Sequence, residues 1–98
     1  MGLRGELEWV RGRIAEITCE IVRLCGERVR LVRRVGELKV RLGLGVEDRE
    51  VEDRLRRLVL RECRSSGLSE EFGLKLLDLL LDESKRVQRE IFGRLEGV

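Results

Sequence analysis

The sequence predicts an all-α fold of three helices per chain, the first of them very long and packed against a second copy of the chain. Three observations carry that reading. An apolar 3-4 repeat runs from Leu3 to Leu42, the pattern of a long amphipathic helix packed along one stripe. Proline is absent, aromatics are 3% and charged residues 41%, a composition that favours helix and gives little support for a sheet. Cap and turn residues then divide the rest of the chain into two further helices.

The first helix is predicted over Leu3–Leu42. Its stripe reads Leu3, Leu7, Val10, Ile14, Ile17, Ile21, Leu24, Arg28, Leu31, Val35, Leu38, Leu42, and Arg28 is the single position that is not apolar. A helix of this length spans roughly 60 Å, more than a domain of this size is wide. It therefore projects past its own domain and packs on another chain. Gly12, Gly26 and Gly36 lie inside it. Each costs about 1 kcal/mol against alanine, which points to close packing or room for a ligand. Leu42-Gly43-Leu44-Gly45 ends the helix, with Gly43 as a left-handed cap.

The second helix is predicted from Val46 or Glu47 to Cys63 or Arg64, with Asp48 as an N-cap and Glu50 in the first turn. Val51, Leu55, Leu58 and Val59 form its buried stripe. Arg54, Arg56, Arg57 and Arg61 read as a solvated face. Ser65-Ser66-Gly67 is a turn. The third helix starts at Ser69, whose hydroxyl can cap it, and runs to about Leu95. Its stripe reads Leu77, Leu80, Ser84, Gln88, Ile91, Leu95, with two polar residues one turn apart where apolar ones are expected.

Composition bounds the function. Ninety-eight residues make one domain, 1–98, and such a chain buries only about 60–65% of its unfolded surface. Twenty-one basic against 19 acidic residues leave a net charge of +2, which argues against nucleic-acid binding. No run approaches a membrane span, and Met1 to Val10 lacks the apolar core of a signal peptide. Three cysteines without metal spacing, and no histidine, fit a reducing, cytoplasmic setting. Cys19, Cys25 and Cys63 are expected to be buried or half-buried small residues. Arginine outnumbers lysine 18 to 3, asparagine is absent and Gln88 is the sole glutamine. That pattern fits a thermophilic source, and GC-rich codon usage gives the same excess of arginine.

The inward-facing polar residues are the candidates for chemistry. A guanidinium in an apolar seam is costly unless an anion meets it. Lys39 lies eleven residues beyond Arg28 at nearly the same angle, about 16 Å along the axis. Arg49 and Glu50 stand at the start of the second helix, and Ser84 and Gln88 face inward from the third. Arg11 flanks the first helix seam about 25 Å from Arg28, so it reaches a common pocket only from the other chain of an antiparallel dimer. The set is rich in cations and donors, holds one carboxylate, and contains no nucleophile–base pair and no metal ligands. It suits a small dianion. Residue by residue, plainer readings stand beside it. Arg28 could be an ion pair that sets register, Lys39 a surface lysine with a buried stem, Arg49 and Glu50 a helix start, Ser84 a hydroxyl bonded one turn back, and Gln88 a satisfied core amide.

Taken together, these residues resemble the all-helical class of chorismate mutase, in its stand-alone archaeal or bacterial form. The matching pieces are Val10-Arg11-x-x-Ile14-x-x-Ile17, then Glu27-Arg28-x-x-Leu31-x-x-x-Val35-Gly36-x-x-Lys39, then Asp48-Arg49-Glu50, then Glu83-Ser84-x-x-x-Gln88. The resemblance implies an intertwined helical homodimer built on the long first helices and a cofactor-free rearrangement of chorismate to prephenate. By the same resemblance, Arg28 and Arg11 of the partner subunit bind the two substrate carboxylates. Lys39 and Gln88 donate to the ether oxygen of the breaking bond, and Glu50 accepts from the ring hydroxyl. Arg49 and Ser84 support carboxylate binding and the pocket wall. The family carries an aspartate ahead of the Arg–Glu pair; its place falls near Val46 here, and Val46 or Glu47 offers a backbone N–H instead. The family also often has aspartates near Ala15 and Thr18, and a proline in the loop before the second helix. This chain lacks all three. Two rival readings are pyruvate elimination from isochorismate on the same fold and a non-catalytic helical dimerisation module.

Overall fold

The computed structural model describes residues 2–95 in full and the backbone of residue 96; the outermost limits of the expected domain, at residues 1, 97 and 98, lie outside the described residues. Three helices follow in order: α1 (Leu3–Leu42), α2 (Arg49–Ser66) and α3 (Glu70–Glu96). No strand occurs among the described residues. By its packing the chain divides into two units, Met1–Leu31 and Val32–Val98. No described helix is long and apolar enough to cross a membrane.

The first unit is the greater part of α1. Its seam residues are exposed within one chain, Ile14 at 58% and Leu31 at 70%. Its charged flanks are tied by i,i+3 pairs such as Arg23–Glu20 at 3.1 Å, exposed contacts worth little individually. Cys19 is exposed and Cys25 half-buried. The expectation for Cys19 is thus corrected: it sits off the Ile17–Ile21 stripe, on the polar side of the helix.

The second unit contains the last turns of α1, all of α2 and all of α3. α1 stops as its glycine signal predicts. Gly43 takes φ 71°, Leu44 N–H donates to Lys39 O at 2.8 Å and Gly43 N–H to Val40 O at 3.2 Å, the paired bonds of a Schellman cap. α2 begins at Arg49 rather than at Val46 or Glu47, because Asp48 is its N-cap and accepts from Val51 N–H at 3.2 Å. It also runs past Cys63 and Arg64 to Ser66. Ser65 and Ser66 donate their hydroxyls to the carbonyls of Arg61 and Glu62, which keeps both serines helical until Gly67, at φ 71°, ends the run. α3 opens as expected, with Ser69 Oγ accepting from Phe72 N–H at 3.2 Å.

The core lies between these elements. Cys63, Leu77, Leu81, Val87 and Ile91 are buried. α3 is rotated slightly from the predicted stripe: Leu81 and Val87 are inside, Leu80 is half-buried and Leu95 is exposed. On α2 only Cys63 is buried; Leu55 and Val59 are half-buried, and Val51 and Leu58 are exposed within one chain. Two glycines permit close helix contact. A Cβ on Gly73 would overlap Cys63 Sγ, and one on Gly36 would lie 3.3 Å from Ile91 Cβ. Gly36 is the buried residue of α1, so the last turns of α1 lie directly against α3.

Candidate active site

Seven of the predicted site residues lie in the second unit: Lys39 at the end of α1, Val46 and Glu47 in the loop that follows, Arg49 and Glu50 at the start of α2, and Ser84 and Gln88 on α3. Lys39 is in the last turn of α1 and half-buried. The Schellman cap turns the chain back over this turn, and Lys39 Nζ donates to Val46 O at 2.9 Å. An ammonium has three donors; one on a backbone carbonyl aims the group and leaves two for another acceptor. The Val46 carbonyl is thus the acceptor that holds Lys39.

Ser84 and Gln88 are buried on α3, at 6% and 7% exposure. Ser84 Oγ donates to Leu80 O at 2.8 Å, the bond one turn back that the plainer reading anticipates. Gln88 is different. Its Oε1 is buried without a hydrogen-bond partner, the single such side-chain atom among the described residues. A buried polar atom left without a partner costs about 1–3 kcal/mol, so folding alone gives no reason for an amide here. Glu83, beside Ser84, is engaged by Arg86, whose Nε donates to Glu83 Oε1 at 2.8 Å and holds that carboxyl below the usual carboxylate range.

Arg49 and Glu50 are the first two residues of α2 and are exposed. Glu47 points its carboxylate at α3, where Lys85 Nζ lies 3.2 Å from Oε2 and Arg89 Nη2 3.8 Å from Oε1. Lys85 also reaches Glu52 Oε1 at 2.8 Å. Hydrogen bonds to Glu52 first, then Glu47, hold the Lys85 ammonium above the ordinary lysine range. Sequence reasoning missed Lys85, Arg89 and Glu52. The available signal was that Lys85 and Arg89 stand four apart, each next to a predicted site residue, and can face acids at the start of α2.

Arg28 and Arg11 belong to the first unit. Arg28 is half-buried on α1. Arg11 is exposed and pairs with Glu8, Nη1 to Oε1 at 3.2 Å. A separate cavity between α2 and α3 is lined by Val59, Cys63, Gly73, Leu76, Leu77 and Leu80 among others; it is apolar and contains none of the predicted site residues.

The chain has counterparts among known proteins. The family model described as chorismate mutase type II matches residues 10–89. The chain belongs to the type II chorismate mutase family. The chorismate mutase of Methanocaldococcus jannaschii is 33% identical over 89 residues, covering 87% of this chain and 86% of that protein. No solved structure matches the chain. Every predicted site residue, from Arg11 to Gln88, falls inside the stretch matched to the chorismate mutase family, as do Glu52, Lys85 and Arg89.

Proposed function

We propose that this chain is a chorismate mutase that converts chorismate to prephenate by an intramolecular Claisen rearrangement, a step towards phenylalanine and tyrosine, working as a homodimer in the cytoplasm with residues 1–98 as one functional domain. The observation that carries the site is Gln88, an amide buried at 7% exposure whose oxygen meets no partner; a half-turn of the amide presents its NH2 at that same unfilled position. A group held so at a cost to folding is accounted for by a ligand. The exposed apolar seam of α1, from Leu3 to Leu42, supports the dimer, because a single chain leaves that stripe in water.

The reaction moves no proton to or from the protein, so the site's work is shape and charge. Arg28 and Arg11 of the partner subunit hold the two carboxylates and keep the enolpyruvyl arm over the ring in the reactive conformer. Lys39, aimed by the Val46 carbonyl, and the Gln88 amide N–H donate to the ether oxygen. Negative charge grows there as the C–O bond breaks, so these bonds are stronger in the transition state than in the bound substrate. A donor of that kind is worth about 3–4 kcal/mol. Glu50 accepts from the ring hydroxyl, while Arg49, Ser84 and the backbone at Val46 and Glu47 complete the pocket.

Incubation of the purified chain with chorismate tests this directly. Loss of chorismate matched by prephenate is the expected result. Pyruvate released from isochorismate, with no prephenate from chorismate, would move the activity to the lyase. Absence of any turnover or binding of a small dianion would leave only a dimerisation module.

A further inference from the structure

The loop that carries Val46 has little within itself to fix its shape. Gly43 has just reversed the chain, and Gly45 offers no side chain to pack. The fastening comes from α3. Lys85 Nζ bridges Glu47 in the loop at 3.2 Å and Glu52 on α2 at 2.8 Å. The Lys85 and Glu52 side chains are only 24% and 15% exposed, unlike the solvated pairs along α1. A partly desolvated bridge of three residues from three segments holds its geometry better than an isolated surface pair. Glu47 directly follows Val46, whose carbonyl accepts from Lys39 Nζ at 2.9 Å. Lys85 directly follows Ser84 and lies three positions before Gln88. The turn of α3 that presents Ser84 and Gln88 therefore also grips the loop that aims Lys39.

We infer that Lys85 is a positioning residue for the rearrangement: through Glu47 and the Val46 carbonyl it sets the Lys39 ammonium relative to the Gln88 amide. This rests on the function proposed above. Two donors serve one ether oxygen only if they converge on it, and a misplacement of about 1 Å can cost a hundredfold in rate. Glu52 anchors Lys85 to α2, so the lysine keeps its place while the loop alone depends on Glu47.

The test uses the full chain as wild type, Lys85→Met, Lys85→Arg, Lys39→Ala and the double variant Lys39→Ala/Lys85→Met, with kcat and KM measured on chorismate. Lys85→Met keeps the stem and removes the charge. It is expected to lower kcat about tenfold or more with a much smaller change in KM, because the carboxylate clamp is untouched. Lys85→Arg restores most of kcat, and Lys85→Met costs nothing further once Lys39 is gone. An unchanged kcat in Lys85→Met, or an equal fall with and without Lys39, overturns the inference. Should Lys85→Met fail to fold, Glu47→Gln removes the loop's charge, weakening the Lys85 link together with the longer Arg89 contact, and leaves the Lys85–Glu52 bridge; it must show the same loss confined to kcat, and normal kcat there overturns the inference as well. Inactive wild type would instead overturn the parent function, an outcome separate from either of these.

Discussion

Among single residues, Gln88 is the one on which the proposed site turns. Its burial costs stability and its partnerless oxygen repays nothing in the free chain. As a donor to the ether oxygen it would serve through its N–H, and a carboxyl in its place can donate only while protonated. Gln88→Glu is therefore expected to work in acid and to lose activity as the carboxyl ionises, where the wild type is flat. A kcat/KM profile against pH checks this; a flat profile in the variant would remove Gln88 from the ether oxygen. Gln88 and Ser84 were legible as polar interruptions of an apolar stripe, which is a local signal. The acceptor for Lys39 was not, because the Val46 carbonyl is placed by a glycine-rich loop whose path depends on contacts with α3. Lys85 escaped notice for the same reason: as a sequence position it is one more charge in a chain that is 41% charged.

At the scale of elements, the helix ends were written in cap chemistry. Gly43, Asp48 and Ser69 act where their side chains or backbone freedom predict. α2 departs from the sequence expectation at both ends, because Asp48 is its N-cap and because Ser65 and Ser66 bond back into the helix. Packing glycines can be told from idle ones by what surrounds them. Gly73→Ala would meet Cys63 Sγ, and Val59 Cγ1 at 3.2 Å. Overpacking of about 1–3 kcal/mol then outweighs the roughly 1 kcal/mol that alanine gains in a helix, and the melting temperature should fall. Gly12→Ala has nothing within 4 Å, so it should raise the melting temperature by a few degrees. Thermal unfolding followed by circular dichroism checks both signs. The bridge of α3 to α2 has its own signature. The Lys85 ammonium is held above the ordinary lysine range, so its contribution to stability is intact below that range and fades as pH climbs through the raised value. The stability gap between wild type and Lys85→Met, read from urea midpoints, should hold near neutrality and close in strong alkali.

At the scale of the whole molecule, the controlling feature is a helix whose apolar face finds no cover in its own chain. Leu31 at 70% and Ile14 at 58% exposure make a second copy the natural cover, and unfolding should then depend on protein concentration, with a melting temperature that falls on dilution. The proposed site follows the same logic, since Arg28 comes from one chain and Arg11 from the other. Arg28→Ala and Arg11→Ala should each fold as dimers and each lose activity by orders of magnitude, because each lacks half of the carboxylate clamp. Mixing the two inactive variants under conditions that exchange subunits is the sharpest test. Random exchange makes about half the dimers mixed, each with one intact site, so activity should return to about a quarter of wild type. If the mixture stays inactive while subunit exchange is shown by mass, the two arginines do not share a site across the dimer, and the account of how this chain binds its substrate is wrong.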